Sequence, residues 1–315
     1  MEYIRLKNSD LSVSRLCMGG CPMGRYDWGT DVVESELIDA VHCAIDCGVN
    51  FFDTADTYGL GQSESTLGKA IKGRRDKVVV ASKFGVHARR GMPTYYDNSP
   101  EWIRESIDGT LSRLGTDYLD LYQMHYRDGK TPLAQMVDTL EALKKAGKIR
   151  YYGLSNIHES DRDELAAFKG RFVSFQDEYS LACRKNEADI LFLTKELQMT
   201  PMTWGSLGQG ILTGKYNQHN VDFKAGDRRS RKIYVNFHGE KLLKNLEIVE
   251  VLRTLADKYQ KPVSEVAVRF ILDHLPGSVV MCGVKRPSQV SDNVQGCDWT
   301  LQPEDLELLK AVSAQ

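Results

Sequence analysis

The chain has 315 residues, with 41 Lys+Arg against 43 Asp+Glu for a net charge of −2, 42% hydrophobic residues, 26 glycines and 9 prolines. That composition is ordinary for a globular protein and offers neither a cationic face for nucleic acid nor the charge excess of a disordered chain. The longest uncharged stretch, Leu197 to Gly214, carries Gln198, Thr200, Pro201, Ser206 and four glycines, which excludes a membrane helix, and the N-terminal MEYIRLKNSD lacks a signal peptide's apolar core, so a cytoplasmic protein is expected.

In chain order, Glu2–Leu6 and Leu11–Val13 flank the turn-like Lys7–Asp10 and predict a β-hairpin. Eight short apolar runs then read as strands: Arg15–Met18, Asn50–Phe52, Lys77–Ala81, Tyr118–Gln123, Arg150–Leu154, Phe172–Phe175, Pro201–Trp204 and Ser278–Met281. Helical periods separate them at Ser35–Asp46, Ser63–Ile71, Glu101–Leu114, Pro132–Ala146, His158–Phe168 and Glu187–Leu197, then at Glu240–Tyr259 and Val263–His274 before the last strand. Pro287–Val294 and Pro303–Val312 follow it as further helices. Strands alternating with helices imply right-handed βαβ units, and eight repeats in about 300 residues match a closed (β/α)8 barrel. The hairpin would plug the barrel bottom, and no linker divides residues 1–315, so a single domain is expected. An open dinucleotide-binding sheet fits poorly, because the first strand leads into Met18-Gly19-Gly20-Cys21-Pro22-Met23-Gly24 and not Gly-x-Gly-x-x-Gly.

Seven cysteines and no export signal point to free thiols in a reducing compartment. Cys17 with Cys21, and Cys43 with Cys47 beside His42, share a Cys-x3-Cys spacing that is not the two-residue knuckle of zinc ribbons, so no metal is expected.

In such a barrel the active site lies at the C-terminal ends of the strands. There the second strand runs into Asp53-Thr54-Ala55-Asp56-Thr57-Tyr58, the third into Ser82-Lys83 and the fourth into Gln123-Met124-His125. A carboxylate, a phenol, an ammonium and an imidazole at one mouth suit proton transfer to a substrate oxygen. Tyr58 would be the general acid, Lys83 would lower its pKa, Asp53 would keep Lys83 charged, and His125 would orient the oxygen.

The segments Asn50-Phe51-Phe52-Asp53-Thr54-Ala55-Asp56-Thr57-Tyr58-Gly59, Ser82-Lys83 and Leu119-Asp120-Leu121-Tyr122-Gln123-Met124-His125 resemble the signatures of the aldo-keto reductases, in the right order along essentially the whole chain. The resemblance implies that Asp53, Tyr58, Lys83 and His125 form that family's catalytic tetrad. It extends to a branch containing bacterial reductases and the channel-associated β subunits.

The same resemblance implies a site for NADPH/NADP+. Ser155, Asn156 and Gln176 would clamp the nicotinamide carboxamide and Trp204 would stack on the ring. Gly205, Ser206, Leu207, Gly208, Gly210 and Lys215 would fold over the pyrophosphate. Gly283, Lys285, Arg286, Gln289, Asp292 and Asn293 would hold the adenosine end, and Gly20, Cys21 and Asp53 are further expected cofactor-binding residues. Lys285 and Arg286 beside a helix start suit a 2′-phosphate. Gln289 stands where many members carry Arg and Asp292 where Glu is commoner, which leaves NADH open as an alternative. The run Arg228-Arg229-Ser230-Arg231-Lys232 offers an arginine to the phosphates without indicating which one.

Substrate residues are expected among Trp28, His87 and Tyr126, with the long segment Val86–Pro100, including Arg89, Arg90, Tyr95 and Tyr96, lining the pocket. The chain is thus expected to be an NADPH-dependent oxidoreductase that reversibly reduces an aldehyde or ketone, a sugar or other small carbonyl, to an alcohol. The alternative is a non-catalytic NADP(H)-binding regulatory or sensor subunit. Small carbonyls and alcohols are the expected partners, with no nucleic acid or membrane. An even charge balance and no apolar surface stripe favour a monomer.

Overall fold

The computed structural model describes the whole chain except Tyr26, Asp27, Thr30, Asp31, Arg90, Asn220, Lys224 and Gln315. Strands β1 (Tyr3–Arg5) and β2 (Ser12–Ser14) pair antiparallel. The barrel strands are β3 (Leu16–Gly19), β4 (Phe51–Asp53), β5 (Val79–Phe84), β8 (Leu119–Met124), β9 (Ile149–Ser155), β10 (Ser174–Glu178), β11 (Thr200–Trp204) and β12 (Val279–Gly283). They close in that order as a parallel barrel, β12 pairing with β3. Each run expected to be a strand is one, usually a residue or two further on.

The helices are α1 (Glu34–Asp46), α2 (Gln62–Ile71), α3 (Pro100–Leu114), α4 (Leu133–Lys145), α5 (Arg162–Ala166), α6 (Glu187–Glu196), α7 (Gly239–Tyr259), α8 (Val263–His274), α9 (Pro287–Val294) and α10 (Pro303–Val312). Helix α1 shows why they pack on the barrel: Leu37, Ala40, Val41 and Ala44 recur at helical spacing and are buried, while acidic side chains start its first turn. Helix α3 starts on the Ser99 hydroxyl, which accepts the Trp102 amide at 3.3 Å, with Pro100 in its first turn, and ends on Gly115 in the left-handed region.

Two local differences from the sequence reading have a physical cause. The segment read as a helix over His158–Phe168 yields only a 3-10 turn and the short α5. Beyond α5 the amides of Phe168, Lys169 and Arg171 bond three residues back, and Gly170 turns the chain at φ 86°. The long connection after β5 contains a second hairpin, β6 (Val86–His87) against β7 (Tyr95–Tyr96).

Side chains alternate across each barrel strand and sort the core in two. Phe52, Val80, Tyr122 and Phe175 face the helices. Phe51, Ala81, Leu121, Met202 and Val279 fill the barrel, where Leu6, Leu11 and Val13 of the β1–β2 hairpin join them. The hairpin is tied to the barrel floor by Lys7 N–H to Thr200 Oγ1 at 2.8 Å and Ser14 N–H to Asn50 Oδ1 at 2.7 Å.

Candidate active site

The alternation that sends Phe51, Ala81 and Leu121 into the barrel sends Asp53, Lys83 and Gln123, two residues on, into its upper end. Register places Asp53 beside Ala81, one inward-facing layer below Lys83 and Gln123, which pair with each other. Asp53 and Lys83 are buried, with 3% and 1% of their surface exposed, so each depends on its partners. Lys83 Nζ donates to Asp53 Oδ1 at 2.5 Å, to the Thr54 carbonyl at 2.9 Å and to the Tyr58 hydroxyl at 3.4 Å. The second Asp53 oxygen accepts Gln176 Nε2 at 2.6 Å and Gln123 Nε2 at 3.1 Å.

Tyr58 reaches this group from the β4–α2 loop. Its hydroxyl faces Lys83, and its ring meets the His125 ring edge-on at 5.9 Å between centroids. Burial pushes the Tyr58 phenol well above its ordinary range, with Cys21, Asp53 and Tyr126 adding to the effect and Arg228 opposing it. The Lys83 ammonium that the sequence places beside this phenol does not set the net direction in the free protein, where loss of water dominates. The Tyr58 phenol is therefore neutral. Burial and the nearby Lys83 charge hold His125 well below the ordinary imidazole range, so the ring is neutral.

Above these residues opens a cleft of about 1120 Å³, to which Tyr58, His125, Trp28 and Tyr126 all contribute. Of the residues expected around a cofactor, Gly20, Cys21, Asp53, Ser155, Asn156, Gln176, Trp204, Gly205, Ser206, Leu207, Gly210, Lys215, Gly283, Lys285, Arg286, Gln289, Asp292 and Asn293 line it. Gly208 does not: it is buried, and a side chain there would press on Ile211 and Ala182, so it serves the turn. The Gly20 amide is taken by the Asp53 carbonyl at 2.6 Å. His87 also lies off the cleft. Its ring is sandwiched between Trp102 and Tyr95, 3.6 and 4.2 Å away between centroids, and bonds Asp97 at 3.3 Å, which makes it packing for the β6–β7 hairpin. Arg90 lies outside the described residues. Tyr96 reaches the site only through Tyr126, on which it stacks at 5.1 Å.

The polar groups sort by chemistry. Asn156 donates to the His125 carbonyl and to Ser155 Oγ, both at 3.0 Å, and Gln176 donates to Asp53 and to Gln123 Oε1. The acceptor oxygens of Asn156 and Gln176 and the Ser155 hydroxyl proton remain for a ligand, a set that matches a primary amide. Asn156 adopts φ 53° to do this. Trp204, at the end of β11, lines the same cleft. Lys215 follows the glycine-containing turn after β11, while Lys285 and Arg286 precede α9 on the neighbouring strand. One end of the cleft thus fits an amide and the other fits phosphate.

Two features were not assigned from sequence. Gln123 supports Asp53, and the signal was its place two residues after inward-facing Leu121. In the basic run, Arg228 and Arg229 both line the cleft. Arg229 is clamped by Asp227 at 2.9 and 2.6 Å and by the Tyr216 hydroxyl at 3.0 Å. Arg228 points toward Cys21 Sγ at 3.8 Å. Asp227 also bridges Trp28 across the cleft, and Lys285 Nζ donates to the Trp28 carbonyl at 2.6 Å.

Cys17 sits in the barrel core and Cys21 in the cleft wall, while Cys43 and Cys47 hydrogen-bond each other one helical turn apart and the neighbouring His42 is bonded to the Ala70 carbonyl. All seven cysteines are free, and among the described residues no group of three His, Cys, Asp or Glu could hold a metal ion. No helix among them is long and apolar enough to cross a membrane.

Comparison with known proteins places this geometry. A model described as the Aldo/keto reductase family matches residues 15–314. The aldo-keto reductase YhdN of Bacillus subtilis (strain 168) is 34% identical, over 97% of this chain and 91% of that protein. The NADH-specific methylglyoxal reductase of Escherichia coli (strain K12) is 32% identical, over 99% and 98%. Among solved structures, the glycerol dehydrogenase AKR11B4 from Gluconobacter oxydans superposes with a TM-score of 0.87 at 30% identity, covering 98% of this chain and 94% of that one. An aldo-keto reductase from Klebsiella pneumoniae in complex with NADPH gives 0.77 at 25%, covering 99% and 96%.

Proposed function

Since the chain belongs to the aldo/keto reductase family of oxidoreductases, we propose that it reversibly reduces a small aldehyde or ketone to an alcohol, with NADPH as cofactor and Tyr58 as general acid. The observation that carries this reading is the Lys83 ammonium, buried between Asp53 at 2.5 Å and the Tyr58 hydroxyl at 3.4 Å at the floor of the cleft.

The bound cofactor supplies hydride to the carbonyl carbon; the rest is done by the chain. The neutral phenol of Tyr58 gives its proton to the carbonyl oxygen as negative charge grows there. Lys83 then stabilises the phenolate left behind, and Asp53, fixed by Gln123 and Gln176, holds Lys83 in place. The uncharged ring of His125 orients the oxygen by a hydrogen bond without competing for the proton. Ser155, Asn156 and Gln176 would hold the carboxamide and Trp204 would stack on the nicotinamide ring, positioning the cofactor for hydride transfer. Lys215 and the Lys285–Arg286 turn would meet the phosphates.

Preference for NADPH is supported by the cations ahead of α9, and the NADPH complex of the Klebsiella relative agrees. The Gln289 side chain accepts the Lys285 amide at 2.7 Å and brings no charge, and a relative of similar identity is NADH-specific, so NADH is expected to serve more weakly. Tyr58→Phe tests the assignment. It should lower kcat by at least about a hundredfold and leave NADPH binding, read by fluorescence titration, within twofold of wild type. Wild-type kcat in that variant rejects Tyr58 as the acid, and NADPH binding by the wild type with no turnover on any carbonyl favours a sensor.

A further inference from the structure

We infer that the β10 side of the cleft is a subsite for a carboxylate carried by the substrate, held by the Lys241 ammonium. The inference rests on the reductase reading above and narrows its substrate class to carbonyl compounds with a monoanionic end.

Most other cations on the cleft wall have a protein partner, and two of these, Lys285 and Arg286, also have a proposed place at the cofactor phosphates. Lys83 belongs to Asp53, Arg229 is clamped by Asp227, Lys285 bonds the Trp28 carbonyl, and Arg286 pairs with Glu36 at 3.3 Å. Lys241, in the first turn of α7, is different. It lines the cleft and is half-buried, yet it makes no hydrogen bond or ion pair with the described residues. Burial, aided by the like charge of Lys244, holds it below the ordinary lysine range, with Cys183 and Glu178 pulling the other way. An ammonium that has lost water without gaining a partner is complementary to an anion.

Its surroundings decide what kind of anion and where. Glu178 ends β10 directly beside Trp204 in register, and its charge reaches Tyr126 on the opposite side. It therefore stands next to the place where the carbonyl is reduced. Glu178 is itself occupied, by Lys185 at 3.6 Å and by Gln209 Nε2 at 3.3 Å. Glu178, Lys185 and Lys241 together leave one positive charge, which suits a carboxylate better than a doubly charged phosphate. The phosphates of the cofactor have their cations elsewhere, at Lys215 after β11 and at the Lys285–Arg286 turn after β12, on the other side of Trp204.

The test compares 4-oxobutanoate with its methyl ester, which keeps the aldehyde and removes the charge, under saturating NADPH. Wild type should favour the acid by about tenfold in kcat/KM. Lys241→Gln should lose that preference through a rise in KM for the acid, leaving the ester and the Kd for NADPH within twofold, and Lys241→Arg should restore most of it. Equal rates on acid and ester in the wild type, a parallel loss on both in Lys241→Gln, or a comparable rise in the NADPH Kd would each overturn the subsite. So would reduction of methylglyoxal with no turnover of either probe. If no aldehyde at all is reduced, the reductase reading itself fails and the subsite with it.

Discussion

Gly24 and Gly59 touch through their backbones: a Cβ on Gly24 would lie 2.6 Å from the Gly59 nitrogen, and one on Gly59 would drive into the Gly24 carbonyl. The contact presses the loop that carries Tyr58 against the segment after β3, and Gly59 holds φ 62° to make it. Gly59→Ala is therefore expected to cost about 1–3 kcal/mol. It should lower kcat more than it weakens cofactor binding, because Tyr58 is the next residue. Urea unfolding and steady-state kinetics on the same variant check both parts.

Asp56 makes stability depend on pH. It sits two residues before Tyr58, with Oδ2 accepting the Ser106 hydroxyl at 3.1 Å and Oδ1 buried without a partner. Burial, and then Glu64, push its carboxyl up to about 7, against the weaker pull of Ser106, Arg113 and the Thr57 amide. Tyr122, whose hydroxyl is also buried without a partner, faces the same pocket. An acid raised on folding keeps its proton in the native state while the unfolded chain has lost it. The associated stability is intact below about pH 4, drains away as the pH rises to about 7, and is level above. The total is at most roughly 4 kcal/mol. Asp56→Asn, which resembles the protonated acid, should match wild type at pH 4.5 and exceed it at pH 8. Equal denaturation midpoints for the two proteins at both pH values would refute the raised carboxyl.

His125 should remain uncharged throughout the working range, since burial and Lys83 both oppose the imidazolium. Its ring resonances are expected not to titrate between pH 6 and 8. The kcat/KM for carbonyl reduction should accordingly show no acid-side fall near the ordinary histidine value. A ring that titrates with a midpoint near 6.5 would contradict this.

Much of this was legible in the chain because a parallel barrel writes itself as short apolar runs at regular intervals, and strand ends point to one mouth. Asp53, Lys83 and His125 follow such runs directly. What was hidden depends on contacts between distant segments. His87 looked like a pocket residue because it follows β5, but the β6–β7 hairpin folds it between Trp102 and Tyr95. Gly208 belonged to a glycine pattern whose members diverge in space, some toward the cleft and one toward Ile211. That Arg229 and not Arg228 is clamped by Asp227 could not be read from the basic run, since it depends on how the loop folds. The net direction of the free Tyr58 phenol was hidden as well, since the sequence shows Lys83 but not the burial.

The β1–β2 hairpin seals the barrel floor with Leu6, Leu11 and Val13. A vessel closed at one end has a single doorway, so two molecules that meet inside must queue. Whichever lies deeper enters first and leaves last, and excess of the shallower one can trap the deeper one after the reaction. On the proposed reading the two molecules are the cofactor and the carbonyl compound, and high concentrations of the shallower one would then slow exchange of the deeper.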